Sequence, residues 1–182
     1  GQGNAVLVRT ATHTLLYDAG PRYSQSTDAG ERVLVPLLRA LGERVDVLML
    51  SHRDSDHTGG AAAVLAAQPQ ATLTGSIEGE HALQALRPVR PCLAGQRWHW
   101  DGVDFGVLHP QPEAALGAAQ TKPVLPSNAH SCVLRIVAGL GATALLAGDI
   151  EKAQERALLE SGAALAADVL LVPHHGSKTS SS

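Results

Sequence analysis

Three times in this chain an apolar run stops abruptly at a cluster of aspartates and histidines. The run 45–50 leads into Ser51-His52-Arg53-Asp54-Ser55-Asp56-His57-Thr58-Gly59-Gly60, the run 143–146 into Ala147-Gly148-Asp149, and the run 168–171 into Val172-Pro173-His174-His175-Gly176-Ser177. Short continuous apolar runs bounded by polar turns read as buried strands. A fourth cluster, Ser127-Asn128-Ala129-His130-Ser131, stands directly ahead of the strand-like run 132–137. If these strand ends share one edge of a sheet, the four clusters converge.

The residue types say what such a convergence would hold. Imidazoles and carboxylates are the donors taken by divalent cations in hydrolytic sites, and His52, Asp54, Asp56 and His57 offer four of them within six residues. A merely polar surface loop has no need of a histidine at each end of two spaced carboxylates. Gly59 and Gly60 have no Cβ, which lets the following helix start close to the ligand loop.

With 182 residues, 45% of them apolar, the chain is long enough to bury a good core, and it reads as a single domain over 1–182. It contains no apolar run near the roughly 20 residues that span a bilayer, and no secretory leader. It opens inside a motif and ends in a serine run, so it is expected to be part of a longer protein. A net charge of −3 gives no global attraction to nucleic acid, and one Phe, two Trp and two Tyr argue against an extended stacking platform. Cys92 and Cys132 leave a disulfide and a pair of buried thiols both open; without Cys-x-x-Cys spacing, neither is expected to bind metal.

Strands and helices alternate. Segments 4–9 and 14–18 are expected to form a hairpin, 31–41 a helix stopped by Gly42, 45–50 a strand, 61–67 a helix, 71–74 a strand and 77–86 a helix. Segment 97–108, split at Asp101-Gly102, reads as a second hairpin, and 108–127, with four prolines, as a long surface loop. Strands at 131–137 and 142–147, a helix at 151–160 and a strand at 168–172 complete the pattern.

The run from His52 to His57 resembles the His-x-His-x-Asp-His signature of the metallo-β-lactamase superfamily, with Asp54 in place of the second histidine. That variant is similar to the C-terminal hydrolase domain of the ComEC competence family when taken with three other segments: Gly1-Gln2-Gly3-Asn4-Ala5, Leu146-Ala147-Gly148-Asp149-Ile150 and the segment from Val172 to Ser181. The resemblance covers the whole chain. It implies an α/β fold, the αβ/βα four-layer sandwich, and an extracytoplasmic domain, periplasmic or on the outer face of the cytoplasmic membrane, attached to a transmembrane DNA channel.

Two divalent ions, Mn or Zn, are then expected. His52, Asp54 and His130 are candidates for one and Asp56, His57 and one of the pair His174 and His175 for the other; His174 is the choice in that pair, and Asp149 bridges. The Asp54 carboxylate hardens the first site and moves preference toward Mn. Asp18, at a strand end, is expected to support the ligands from behind, while Asn128, Ser131 and Lys178 are candidates for contacts with substrate or for support of the ligands. Asp56, His57 and Asp149 are the candidate catalytic residues. The implied activity is a phosphodiesterase that degrades the strand of DNA that is not imported, with non-sequence-specific contacts to DNA and a monomeric isolated domain. The alternatives are hydrolysis of a small phosphodiester, phosphocholine-like ester or lactone, and a catalytically weak module that guides DNA. His13, His81, His99 and His109 are read as ordinary surface or packing residues.

Overall fold

The computed structural model describes residues 3–77, 80–112 and 126–180. The chain divides into two compact units, Gly1–Pro91 and Cys92–Ser182.

In the first unit β1 (Val6–Arg9) and β2 (Thr14–Tyr17) form the expected antiparallel hairpin. The next sheet strands, β5 (Val47–Leu50), β6 (Thr72–Gly75) and β7 (Val89–Pro91), add in parallel to give the order β1-β2-β5-β6-β7. Between them lie a small ribbon of β3 (Arg22–Ser24) and β4 (Thr27–Asp28) and a π-helical turn, Gly30–Leu34, that continues into α1 (Val35–Leu41). The Asp28 carboxylate accepts the Glu31 N–H at 2.8 Å at the start of this turn. Gly42, at φ 67°, ends α1 in the left-handed conformation that glycine adopts without a Cβ clash. Leu16, Leu48 and Leu73 form one row across β2, β5 and β6 and pack with Leu34 and Leu38 and with Val64 and Leu65 of α3 (Ala61–Ala67). Helix α4 is Ala82–Leu86, shorter than expected because His81 caps it, its ring accepting the Leu83 N–H.

Ahead of α3, the single turn α2 (Ser55–Thr58) carries the ligand motif, and the two glycines after it are packed against backbone. A Cβ on Gly60 would overlap the Gly30 nitrogen and the Ala19 carbonyl oxygen; one on Gly59 would overlap the Arg22 nitrogen. Backbone is the least yielding neighbour a new methyl can meet. Gly60→Ala should destabilise the chain by about 1–3 kcal/mol, read as a lower urea midpoint with an unchanged slope. A midpoint equal to wild type would mean that the close approach is not real.

In the second unit β8 (Arg97–Trp100), β9 (Val103–His109), β10 (Val133–Ala138) and β11 (Thr143–Leu146) are antiparallel neighbours, and β12 (Val169–Leu171) joins β11 in parallel. Helix α5 (Lys152–Glu160) opens with a capping box between Glu151 and Gln154 and buries Leu158 with Val133, Leu145, Ala147 and Ile150. A disulfide joins Cys92 to Cys132, resolving the choice that the sequence left open. Of the expected proline-rich loop, residues 113–125 lie outside the described residues, as do 78 and 79 of the expected helix 77–86. Ribbon β3–β4 and strand β7 were not expected: each is two or three residues long, too short to show a period. Among the described residues no helix is long and apolar enough to cross a membrane.

Candidate functional site

In the first unit the site grows from a buried carboxylate at the end of β2. Asp18 is fully buried and sits at φ 60°, a left-handed conformation that aspartate tolerates better than most residues. Its backbone N–H is held by the Met49 carbonyl at 2.8 Å, which aims the side chain at the end of β5. There it accepts the Ser51 N–H at 2.7 Å, the Ser51 hydroxyl at 2.9 Å and His57 Nδ1 at 2.7 Å.

The consequence is a fixed pair of tautomers. His57 gives its Nδ1 proton to Asp18. Ser51 has donated its one proton to the same carboxylate, so its Oγ accepts from His52 Nδ1 at 3.0 Å. Both imidazoles therefore present the lone pair of Nε2, with ring centroids 4.3 Å apart and both side chains fully buried. Asp54 Oδ2 lies 3.5 Å from His52 Nε2, and Asp56 Oδ2 lies 3.7 Å from His57 Nε2. Two ring nitrogens and two carboxylates at this spacing, with a carboxylate behind one ring, form the donor arrangement that suits a divalent cation.

The second unit carries a separate donor group. Asp149 follows β11 and is almost completely buried; its N–H donates to Ser131 Oγ at 3.1 Å. Ser131 also accepts His109 Nδ1 on its carbonyl at 2.8 Å. Burial holds His109 below the ordinary imidazole pKa and neighbouring His130 adds to that, while the bond to Ser131 opposes it. His109 is therefore a neutral packing residue that fixes the turn carrying His130, which is itself buried at the end of the 3-10 turn Ser127–His130.

His174 and His175 occupy the 3-10 turn Pro173–Gly176 after β12. Both have left-handed backbones, at φ 47° and 52°, and Gly176 follows at 75°. His175 Nε2 lies 3.4 Å from Asp149 Oδ2, and His174 Nε2 lies 4.0 Å from it. The sequence favours His174, but His175 stands nearer the carboxylate. His174 Nδ1 meets Thr179 Oγ1 at 2.9 Å with Glu151 Oε1 at 3.4 Å, and the Asn128 amide reaches both Glu151 and His174 at 3.4 Å. Lys178 is exposed.

Three participants were not singled out in the sequence. Ser51 stands inside the quoted motif and links the His52 ring to the Asp18 carboxylate by hydrogen bonds. Glu151 reads as a helix cap, and its contact with Thr179 at 3.1 Å requires that α5 and the final turn meet in space. No local pattern announces that contact.

The family model described as the metallo-beta-lactamase superfamily matches residues 1–182. The chain belongs to this superfamily. Its metallo-β-lactamase fold is also seen in a crystal structure of MEM-A1, a subclass B3 metallo-β-lactamase from a soil metagenome library, at a TM-score of 0.63 and 16% identity, covering 94% of this chain and 72% of that one. Among curated relatives, competence protein ComA of Neisseria gonorrhoeae is 42% identical over 184 residues, which is 100% of this chain and 23% of the relative. Recombination protein 2 of Haemophilus influenzae is 35% identical over 182 residues, 100% of this chain and 21% of the relative. This metallo-β-lactamase domain thus spans between a fifth and a quarter of the length of those relatives. Members of the superfamily are generally metal-dependent hydrolases, and the donor sets of both units fit divalent metal ions.

Proposed function

We propose that this chain is a metal-dependent phosphodiesterase that cuts DNA, and that it serves DNA uptake by a longer protein. The observation that carries the metal-dependent chemistry is the buried Asp18 carboxylate, which fixes His57 directly and His52 through Ser51, with Nε2 of each ring facing a carboxylate. The likeness to the competence protein supports DNA as the substrate.

In this reading His52, Asp54, Asp56 and His57 are the metal donors of the first unit, and His130, Asp149 and His175 are those of the second. Two bound divalent ions, Mn or Zn, would lower the proton affinity of a water molecule and stabilise charge on phosphate oxygens. The protein's own part is to aim the donors. Asp18 prevents His57 from rotating, Ser131 positions Asp149 through its backbone, and Glu151 with Thr179 orients His174. No side chain need act as nucleophile. The disulfide supports work in an oxidising compartment on the outer side of the cytoplasmic membrane, since such bonds are rare where thiols are kept reduced. The length of the relatives leaves room for the transmembrane partner in the same chain.

The test incubates metal-stripped protein with linear single-stranded and duplex DNA and adds Mn²⁺, Zn²⁺ or Mg²⁺ in turn. Metal-dependent cleavage that falls to background in Asp56→Ala is the expected result. Intact DNA in every reaction, with bound metal demonstrated, would redirect the assignment to a small phosphoester substrate.

A further inference from the structure

The second unit contains a cavity of about 1080 Å³ whose lining includes none of His130, Asp149, His174 and His175. Arg97, Asp104, Gly106, Arg135, Val137 and Ser161 are among its walls. Strand register explains how two cations come to share it. Gly106 of β9 pairs with Arg97 of β8 on one side and Arg135 of β10 on the other, so the three form one row across the sheet. Residues in a row project to the same face, and here two guanidinium groups flank a residue with no side chain. A Cβ on Gly106 would meet nothing within 4 Å, so the floor between the arginines is open.

The next row on that face is His99, Asp104 and Val137. The Asp104 carboxylate is engaged by His99 Nδ1 at 2.8 Å. Among the described residues neither arginine has an acidic partner, and Arg135 Nε is buried without an acceptor. Two guanidinium groups that line one cavity without an acidic partner make an anionic acceptor from outside the chain their natural complement. Guanidinium forks match phosphate oxygens in geometry and charge. The space is far larger than one phosphate needs and is of the size that encloses a small organic molecule.

We propose that this cavity is a second ligand site, one that binds the phosphate of a nucleotide between Arg97 and Arg135. The phosphate chemistry stands on the row of residues alone; the choice of a nucleotide as its carrier rests on the function proposed above. A free mononucleotide and a phosphate of a strand present the same group to the two arginines.

Of the chain's two tryptophans, Trp98 directly follows Arg97 on β8 and lines the cavity, so its fluorescence is the probe. Metal-stripped protein is titrated with thymidine, thymidine 5′-monophosphate and a thymidine hexanucleotide, with calorimetry in parallel. No bond is cut under these conditions, so the outcome does not depend on whether the metal-binding residues cleave DNA. The expected result is saturable binding of a phosphorylated probe, none of thymidine, and affinity weaker by about tenfold or more in Arg97→Gln and in Arg135→Gln. Tighter binding of the hexanucleotide identifies a strand as occupant, and tighter binding of the monophosphate identifies a free nucleotide. Absence of both heat and quenching, or equal affinity in wild type and Arg97→Gln, overturns the proposal. Arg97 is exposed, so that variant remains informative if Arg135→Gln folds poorly.

Discussion

Asp18→Ala should unfold the first unit far more readily than any surface change, with a loss of about 3–5 kcal/mol. The substitution removes one buried carboxylate and strands three donors, the Ser51 N–H, the Ser51 hydroxyl and His57 Nδ1, where water does not reach. It also places alanine at φ 60°, a conformation that aspartate and asparagine tolerate better. Asp18→Asn separates the two effects. It keeps the shape and the backbone preference but offers one acceptor oxygen in place of two and carries no charge, so His57 loses the anion behind it. Metal affinity should then fall about 10- to 100-fold while most of the stability remains. Urea unfolding of both variants, with metal titration of the asparagine form, measures this; an asparagine variant with wild-type metal affinity would remove Asp18 from the site.

Reducing the Cys92–Cys132 disulfide, or replacing Cys92 by serine, should weaken the second unit by about 4 kcal/mol. The bond closes a loop across a sequence separation of 40, and the loss of unfolded-chain entropy from a loop of that length has about this size. The effect should extend beyond stability, because Cys132 directly follows His130 and Ser131, and Ser131 holds Asp149. Denaturant curves with and without dithiothreitol, followed by metal affinity at a denaturant-free end point, give both numbers. If the curves superpose, the thiols are the resting state of the pair.

The sequence revealed the strand ends better than what connects them. Val47–Leu50 announces itself because β5 is central and nearly all buried, so its apolar run is unbroken. The clustering of His52, Asp54, Asp56 and His57 needed only one turn of chain and was legible for the same reason. By contrast, β7 and the ribbon β3–β4 are set by neighbours distant in sequence, and nothing in two or three residues distinguishes them from turns. The choice between His174 and His175 was closed to sequence reading, since both are adjacent histidines and their distances to Asp149 depend on a left-handed turn. The gathering of Trp98, Trp100 and Phe105 into one cluster on β8 and β9 was likewise invisible in a chain with only five Phe, Trp and Tyr residues.

The run of three left-handed residues at His174, His175 and Gly176 makes this turn a place where catalysis and thermostability pull against each other. Glycine would relieve the backbone at either histidine, by about 1 kcal/mol or more each, while deleting a donor. A selection for heat resistance alone should therefore drift toward glycine at these positions, and its survivors would be sturdier proteins with a disarmed site. Alanine, the habitual choice for testing a ligand, does the reverse of what is wanted, since it removes the imidazole and keeps the strain. Asparagine is the cleaner replacement, because it tolerates the turn and lets a loss of function be read as the loss of a ring nitrogen.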